Sequence, residues 1–140
     1  MTTFVVDASV VINFLLADPE SHQFAAAEAF LDANADLIAP PALLPEVLGR
    51  IAGERNGGRI TAGQAADATE LFAVHLGIDI RPYPLSYEAV PRLTHLGANL
   101  ALADATYVLL GEATEAPVIT QDNRMIEGAG KVTDHPIREP

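Results

Sequence analysis

The chain contains no cysteine. That excludes a disulfide framework, a thiolate metal site and cysteine nucleophile chemistry, and it fits a reducing compartment. Aromatic residues make up 6% of the 140 positions. The core must therefore be built largely from alanine, leucine and valine, which favours close packing of helices and sheet. Long apolar runs are also missing. None approaches the roughly 20 residues needed to cross a bilayer, and the opening MTTFVVDASV lacks the basic start and apolar stretch of a signal peptide. The expectation is a cytoplasmic protein with no membrane contact. Several catalytic devices are absent too. His22, His75, His95 and His135 are scattered without paired metal-ligand spacing, and no glycine loop of the phosphate-cradling type occurs. Neither Ser9 nor Ser86 has nucleophile-elbow context.

Positive charge is scarce: 8 Lys and Arg stand against 19 Asp and Glu, for a net charge of −11. Taken alone, this opposes a nucleic-acid partner, because phosphate backbones attract basic surfaces. Bound divalent cations, or local concentration of the few basic residues, would be needed to offset it. Arg50, Arg55 and Arg59 do fall in one segment, although solvated helix charges would look the same.

What is present is a hydrophobic fraction of 49%, enough for one compact domain. The β-branched run at residues 3–7 predicts a buried strand. A short helix follows to about Asp18-Pro19, then a second over 21–34 with Phe24, Ala27 and Leu31 on one face. DLIAPP reads as a second strand. A helix over 42–56 tolerates Pro45 only in its first turn, and Gly57-Gly58 ends it. Thr61 with Gln64 resembles a capping box for a helix to about His75, stopped by Gly77. IDIRPYP is a third strand and turn, and Ser86 is placed to cap a helix through about His95. LALADATYVLLGEAT, residues 100–114, is a nearly all-apolar helix that should be buried on most sides. APVITQD is a fourth strand, with a short helix and a last strand near Lys131–Asp134 beyond it. Strands alternating with helices imply an α/β fold with a mainly parallel central sheet flanked by helices. Such sheets hold their sites beyond the carboxyl ends of the strands, where Asp7 and Asp122 fall.

Asp104 is the most informative acid. At helical spacing its neighbours are Leu100, Ala101, Tyr107 and Val108. An ionised carboxylate buried there needs a partner or a raised pKa, and cations among the side chains are few. A divalent metal would meet the need; a hydroxyl such as that of Thr106, or a wet helix edge, is the alternative. Glu46 follows an apolar, proline-rich stretch, where the helix dipole alone also explains a glutamate. Asp7 and Asp122 precede helices and are equally good N-caps. In combination, two strand-end acids and two helix acids converge on one edge. Hard oxygen ligands suit Mg²⁺, with Mn²⁺ able to substitute, and such a cluster is a device for phosphodiester hydrolysis by metal-activated water.

These residues resemble the PIN domain, and within it the VapC-like toxins of type II toxin–antitoxin pairs. VVDASVVINFLL looks like the family's first strand and helix, PPALLPEVLGRI like the segment of its second acid, and LADATYVLLGEATEAPVITQDNRM like its third and fourth acid region. The last of these is the most specific. The resemblance runs from Phe4 to about Glu127 and implies a PIN-like domain over 1–135 with a tail at 136–140. It implies a Mg²⁺-dependent endoribonuclease whose catalytic and metal-binding acids are Asp7, Glu46, Asp104 and Asp122. Ser9 and Thr120 match positions whose hydroxyls orient the acids, with helix capping as the alternative. Arg50, Arg55 and Arg124 are candidates for RNA contact, and Asn13 is assigned nothing. The implied partners are an RNA substrate such as transfer or ribosomal RNA, a cognate antitoxin and a second copy of the chain; helices 42–56 and 61–76 are candidate dimer surfaces. A catalytically silent PIN-like module that binds protein or RNA is the alternative. A haloacid-dehalogenase-like phosphatase fails because Ser9 stands where a second Asp is required, and a receiver domain fails because IDIRPYP ends without an acid.

Overall fold

A computed structural model describes residues 1–82 and 86–140. The first strand, β1 (Thr3–Val6), runs straight into helix α1 (Ala8–Leu16), with Asp7 as the N-cap between them. Helix α2 (His22–Asp32) is capped by Ser21, whose hydroxyl accepts from Phe24 N–H. Strand β2 (Asp36–Ala39) leads through Pro40-Pro41 to α3 (Leu43–Asn56), where Pro45 falls in the first turn and needs no intrahelical donor. Gly58 ends that segment at φ 74°, a left-handed conformation that glycine adopts without steric cost. The Thr61–Gln64 capping box forms reciprocally at the start of α4 (Ala62–Glu70). One wider π-helical turn carries the chain on to His75, and Gly77 turns it away at φ 65°.

Strand β3 spans only Asp79–Ile80, and the turn expected after it reaches residues 83–85, outside the described residues. A 3-10 turn at Tyr87–Ala89 precedes α5 (Val90–Leu96), with Pro91 in its first turn. Ser86 makes no capping bond, so the expected cap is absent and the helix starts later than the sequence suggests. Helix α6 (Leu102–Thr114), strand β4 (Val118–Ile119), helix α7 (Asn123–Gly130) and strand β5 (Ile137–Arg138) complete the order.

The five strands form one sheet in the order β3-β2-β1-β4-β5, and every pairing is parallel. The expected last strand at Lys131–Asp134 is displaced. The N–H groups of Lys131, Val132 and Thr133 return to Gly128 and Ala129 carbonyls at the end of α7, so these donors are not available for a ladder. The strand forms instead within 136–140, the segment set off as a tail in the sequence. There Pro136 and Arg138 carbonyls accept from Val118 and Thr120.

The core lies around β1, β2 and β4 and includes the fully buried Val5, Ile38, Leu43, Leu96, Tyr107, Leu110, Ile119 and Met125. Helix α6 is buried continuously from Ala105 to Gly111, which explains its nearly unbroken apolar sequence. Among the described residues no helix is long and apolar enough to cross a membrane.

The chain adds strands on one side of β1, through β2 to β3, and then crosses back to place β4 on the other side. The gap between β1 and β4 is therefore the point where winding reverses. Helices on the two sides diverge there and leave a crevice beyond the carboxyl ends of the strands. Asp7 follows β1 and Asp122 follows β4, so both acids reach this crevice.

Candidate active site

One pocket at that crevice is lined by Asp7, Glu46, Asp104 and Asp122 together with Ser9, Arg50 and Arg124. Its acids come from four different elements. Asp7 sits at the β1–α1 junction, Glu46 in the first turn of α3, Asp104 in the first turn of α6 and Asp122 at the N-cap of α7. The sequence reading places Asp104 deep within its helix. In the structure α6 begins at Leu102, because Ala101 is extended (φ −59°, ψ 149°), and Asp104 lies near the open N-terminal end.

Asp7 is 4% exposed, and burial pushes its carboxyl up. Hydrogen bonds oppose this: Oδ2 accepts from Ser9 N–H at 3.2 Å and from the Thr120 hydroxyl at 2.8 Å. Thr120 spends its only hydroxyl proton on Asp7, which settles the directions around it. Its oxygen accepts from Asp122 N–H at 3.0 Å and from the Ser9 hydroxyl at 3.1 Å, and Ser9 in turn accepts from Gln121 N–H at 2.8 Å. This chain of bonds stitches the end of β4 to the start of α1. Capping and orienting roles thus coexist: Asp7 and Asp122 are both N-caps, Asp122 accepting from Arg124 N–H at 2.9 Å, and both face the pocket.

Glu46 is half-buried. Burial raises its carboxyl, the Tyr107 hydroxyl bond at 2.9 Å lowers it, and Asp7 and Asp104 raise it further. Asp104 is pushed up to about 6, first by burial and then by the negative charges of Asp7 and Asp122. Burial and the neighbouring Glu46 raise the Tyr107 phenol, which stays a hydrogen-bond donor at any ordinary pH. The acids therefore feel one another, as groups sharing a single site do. No buried side-chain polar atom among the described residues lacks a partner, so the carboxylate oxygens that the protein leaves unbonded open onto the pocket.

Among the described residues no three such side chains are already drawn together as a ready ion-holding group. The donor set nevertheless fits a hard divalent cation: all-oxygen, held by hydrogen bonds on one side, and repelling one another on the side where positive charge is missing. The basic residues divide. Arg50, paired with Glu54 at 3.2 Å, and Arg124 stand at the acid pocket. Arg55 lines a separate groove between α3 and α4, away from the acids.

Three residues here escaped the sequence reading. Tyr107 was counted only as an apolar neighbour of Asp104, though a tyrosine in a buried helix needs a partner for its hydroxyl. Asn13 donates to the Gln121 side chain at 2.9 Å, and both line the pocket rim. Nothing in their local sequence signals this, because the pairing spans 108 positions.

Residues 4–131 match the PIN domain, and the chain belongs to that family. PIN domains are generally nucleases and generally use divalent metals. Among solved structures, the fold is similar to that of PAE2754 from Pyrobaculum aerophilum, at 20% identity and a TM-score of 0.69, covering 98% of this chain and 83% of that one. It is also similar to Mycobacterium tuberculosis VapC20, a sarcin-ricin loop cleaving toxin, at 10% identity and a TM-score of 0.63, covering 89% of this chain and 93% of that one. No curated protein matches the sequence.

Proposed function

We propose that this PIN domain is a Mg²⁺-dependent endoribonuclease, the toxin of a toxin–antitoxin pair, with Mn²⁺ able to replace Mg²⁺. The observation that carries the reading is the convergence of Asp7, Glu46, Asp104 and Asp122 on one pocket at the switch point of the sheet, with Asp104 raised by burial and then by its acidic neighbours. These four acids would hold the ion. What the ion supplies when bound is Lewis acidity, which stabilises charge on the phosphate and makes water a better nucleophile at neutral pH. The protein's own contribution is positional. Thr120, Ser9 and Tyr107 fix one oxygen of Asp7 and of Glu46 and leave the other side of each carboxylate to the pocket. Arg124 and Arg50 at the rim supply positive charge for a substrate phosphate in a molecule otherwise repulsive to RNA. Arg55 is assigned to RNA contact more distantly, along the α3–α4 face.

Structured RNA is the substrate class, transfer or ribosomal. The cleavage of the sarcin-ricin loop by VapC20 supports this choice. A cognate antitoxin and a second copy of the chain are the proposed partners in the cytoplasm. Exposed Leu44 and Leu48 on α3 and Val74 after α4 mark the face for the latter.

Cleavage of total RNA in Mg²⁺ by the wild type, Asp7→Asn and Asp104→Asn tests the activity. Cutting by the wild type, its loss in both variants and its loss with chelator are expected. Undiminished cutting by both variants would reject the assignment. Induced expression in a bacterial host tests the toxin role: growth arrest by the wild type and growth with Asp104→Asn are expected.

A further inference from the structure

Tyr107 is wholly buried, yet it carries a polar atom that a phenylalanine would not. A buried hydroxyl costs stability unless it is bonded, and here it donates to Glu46 Oε1 at 2.9 Å, joining α6 to α3 across 61 positions of sequence. The Ala8 backbone, directly after Asp7, also favours the charged form of the phenol, though less than burial and the nearby acids oppose it. One atom in the core thus bonds the glutamate of the pocket and lies in the field of the backbone that carries its aspartate. The Glu46 carboxylate has no other hydrogen-bond partner among the described residues. Its side chain has three rotatable bonds and is only half-buried, so it would sample several rotamers without this anchor.

We infer that Tyr107 is a positioning residue for the acid pocket: its hydroxyl holds Glu46 Oε1 and so fixes the carboxylate with Oε2 left unbonded for a divalent cation. This rests on the metal-dependent reading above. Asp7 follows the same plan, with Oδ2 held by Ser9 and Thr120, and Asp122 follows it with Oδ1 held by Arg124 N–H. Glu46 differs in that a core side chain is its one anchor, with no bond from a neighbouring backbone N–H among the described residues. Its position is therefore set by the packing of α6, the helix that also brings Asp104. The bond thus ties the place of one acid to the helix that carries the other. A bond that served only to tie α6 to α3 would have no reason to end on the pocket acid rather than on a backbone carbonyl or a second core polar group.

The test is Mn²⁺ affinity, measured by calorimetry on the full chain, with thermal melting in chelator and RNA cleavage alongside it. Tyr107→Phe keeps the packing and removes the hydroxyl. It should weaken Mn²⁺ binding by roughly 10–100-fold, the range for loss of a group that orients a metal ligand, and lower kcat more than it raises KM. Glu46→Asp is the second variant, at a half-buried site where folding is not at stake. It keeps the carboxylate but is one methylene too short to meet both Tyr107 and the pocket, and it should lose affinity comparably. Asp104→Asn is the control. If it abolishes Mn²⁺ binding while Tyr107→Phe and Glu46→Asp bind within twofold of wild type, the positioning role is overturned and the metal site stands. If Asp104→Asn leaves Mn²⁺ binding unchanged, the metal reading itself falls. A Tyr107→Phe protein that melts lower yet binds Mn²⁺ like wild type would make the hydroxyl a structural tie only, which also overturns the inference.

Discussion

Thr120 concentrates more of the site into one atom than any other residue. Its fully buried oxygen donates to Asp7 and accepts from Ser9 and from Asp122 N–H. Thr120→Val preserves the shape and removes all three bonds, leaving the Asp122 N–H without this partner and Asp7 Oδ2 with Ser9 N–H alone. A stability loss of about 1–3 kcal/mol is expected, with Mn²⁺ affinity reduced by roughly 10–100-fold; denaturant melts and calorimetry measure the two. Asp104 behaves differently. Its folded carboxyl lies at about 6, above the ordinary 3.8, so the fold prefers it protonated. The stability that this preference lends is whole below about pH 3.8 and is lost as the pH rises through about 6. In chelator, therefore, Asp104→Asn should be more stable than wild type at pH 8 by about 1 kcal/mol, after allowance for partial solvent screening. The two proteins should converge toward pH 4. A wild type more stable than the variant at pH 8 without metal would show that Asp104 is not under the repulsion described.

At the scale of elements, the acids are where they are because helices begin there. Asp7 and Asp122 cap α1 and α7, and Glu46 and Asp104 occupy first turns of α3 and α6. Helix N-termini favour negative charge, so four helix starts pointed at one crevice make it tolerant of four carboxylates. How closely α7 packs then matters to the site. A Cβ on Gly128 would press into the Asn99 carbonyl oxygen and within 3.1 Å of Leu100. Gly128→Ala must push α7 outward, and the expected cost is about 1–3 kcal/mol. Because Asp122 caps the same helix, Mn²⁺ affinity should fall with stability, whereas Gly130→Ala, whose Cβ meets nothing, should change neither. Melting curves and Mn²⁺ titrations of the two variants check this.

For the whole molecule, the governing fact is a net charge of −11. If the pocket takes RNA as proposed, association depends on a few rim cations and on the metal it would hold. On the nuclease reading, Arg124→Ala should raise KM about tenfold, the factor carried by about 1.4 kcal/mol. It should also flatten the dependence of log affinity on log salt by about one. Cleavage kinetics from 50 to 200 mM salt would reveal both. Mg²⁺ at a hundred times its Kd should stabilise the fold by about 2.7 kcal/mol. That gain should vanish in Asp104→Asn, as read by thermal melting with and without the ion.

Most of the element order could be read from the chain because it depends on short-range chemistry. Alternation of β-branched runs with apolar stripes marked β1, β2 and the larger helices, and the Thr61–Gln64 box forms as its spacing implied. The alternation of strands with helices was equally local, and from it the parallel sheet and the place of the acids beyond its strand ends followed. What failed locally was decided by competition for hydrogen bonds. KVTD carries β-forming residues, but its donors close the end of α7, and the sheet takes Ile137–Arg138 instead. Tertiary structure alone decided which side chains meet: Tyr107 with Glu46, Asn13 with Gln121, Thr120 with Asp7, and Arg124 rather than Arg55 beside the acids. A strand or a cap is set by residues within a few positions of one another, whereas the side-chain partners of Glu46 and Asp7 lie 61 and 113 positions away and meet them only once the sheet has reversed its winding between β1 and β4.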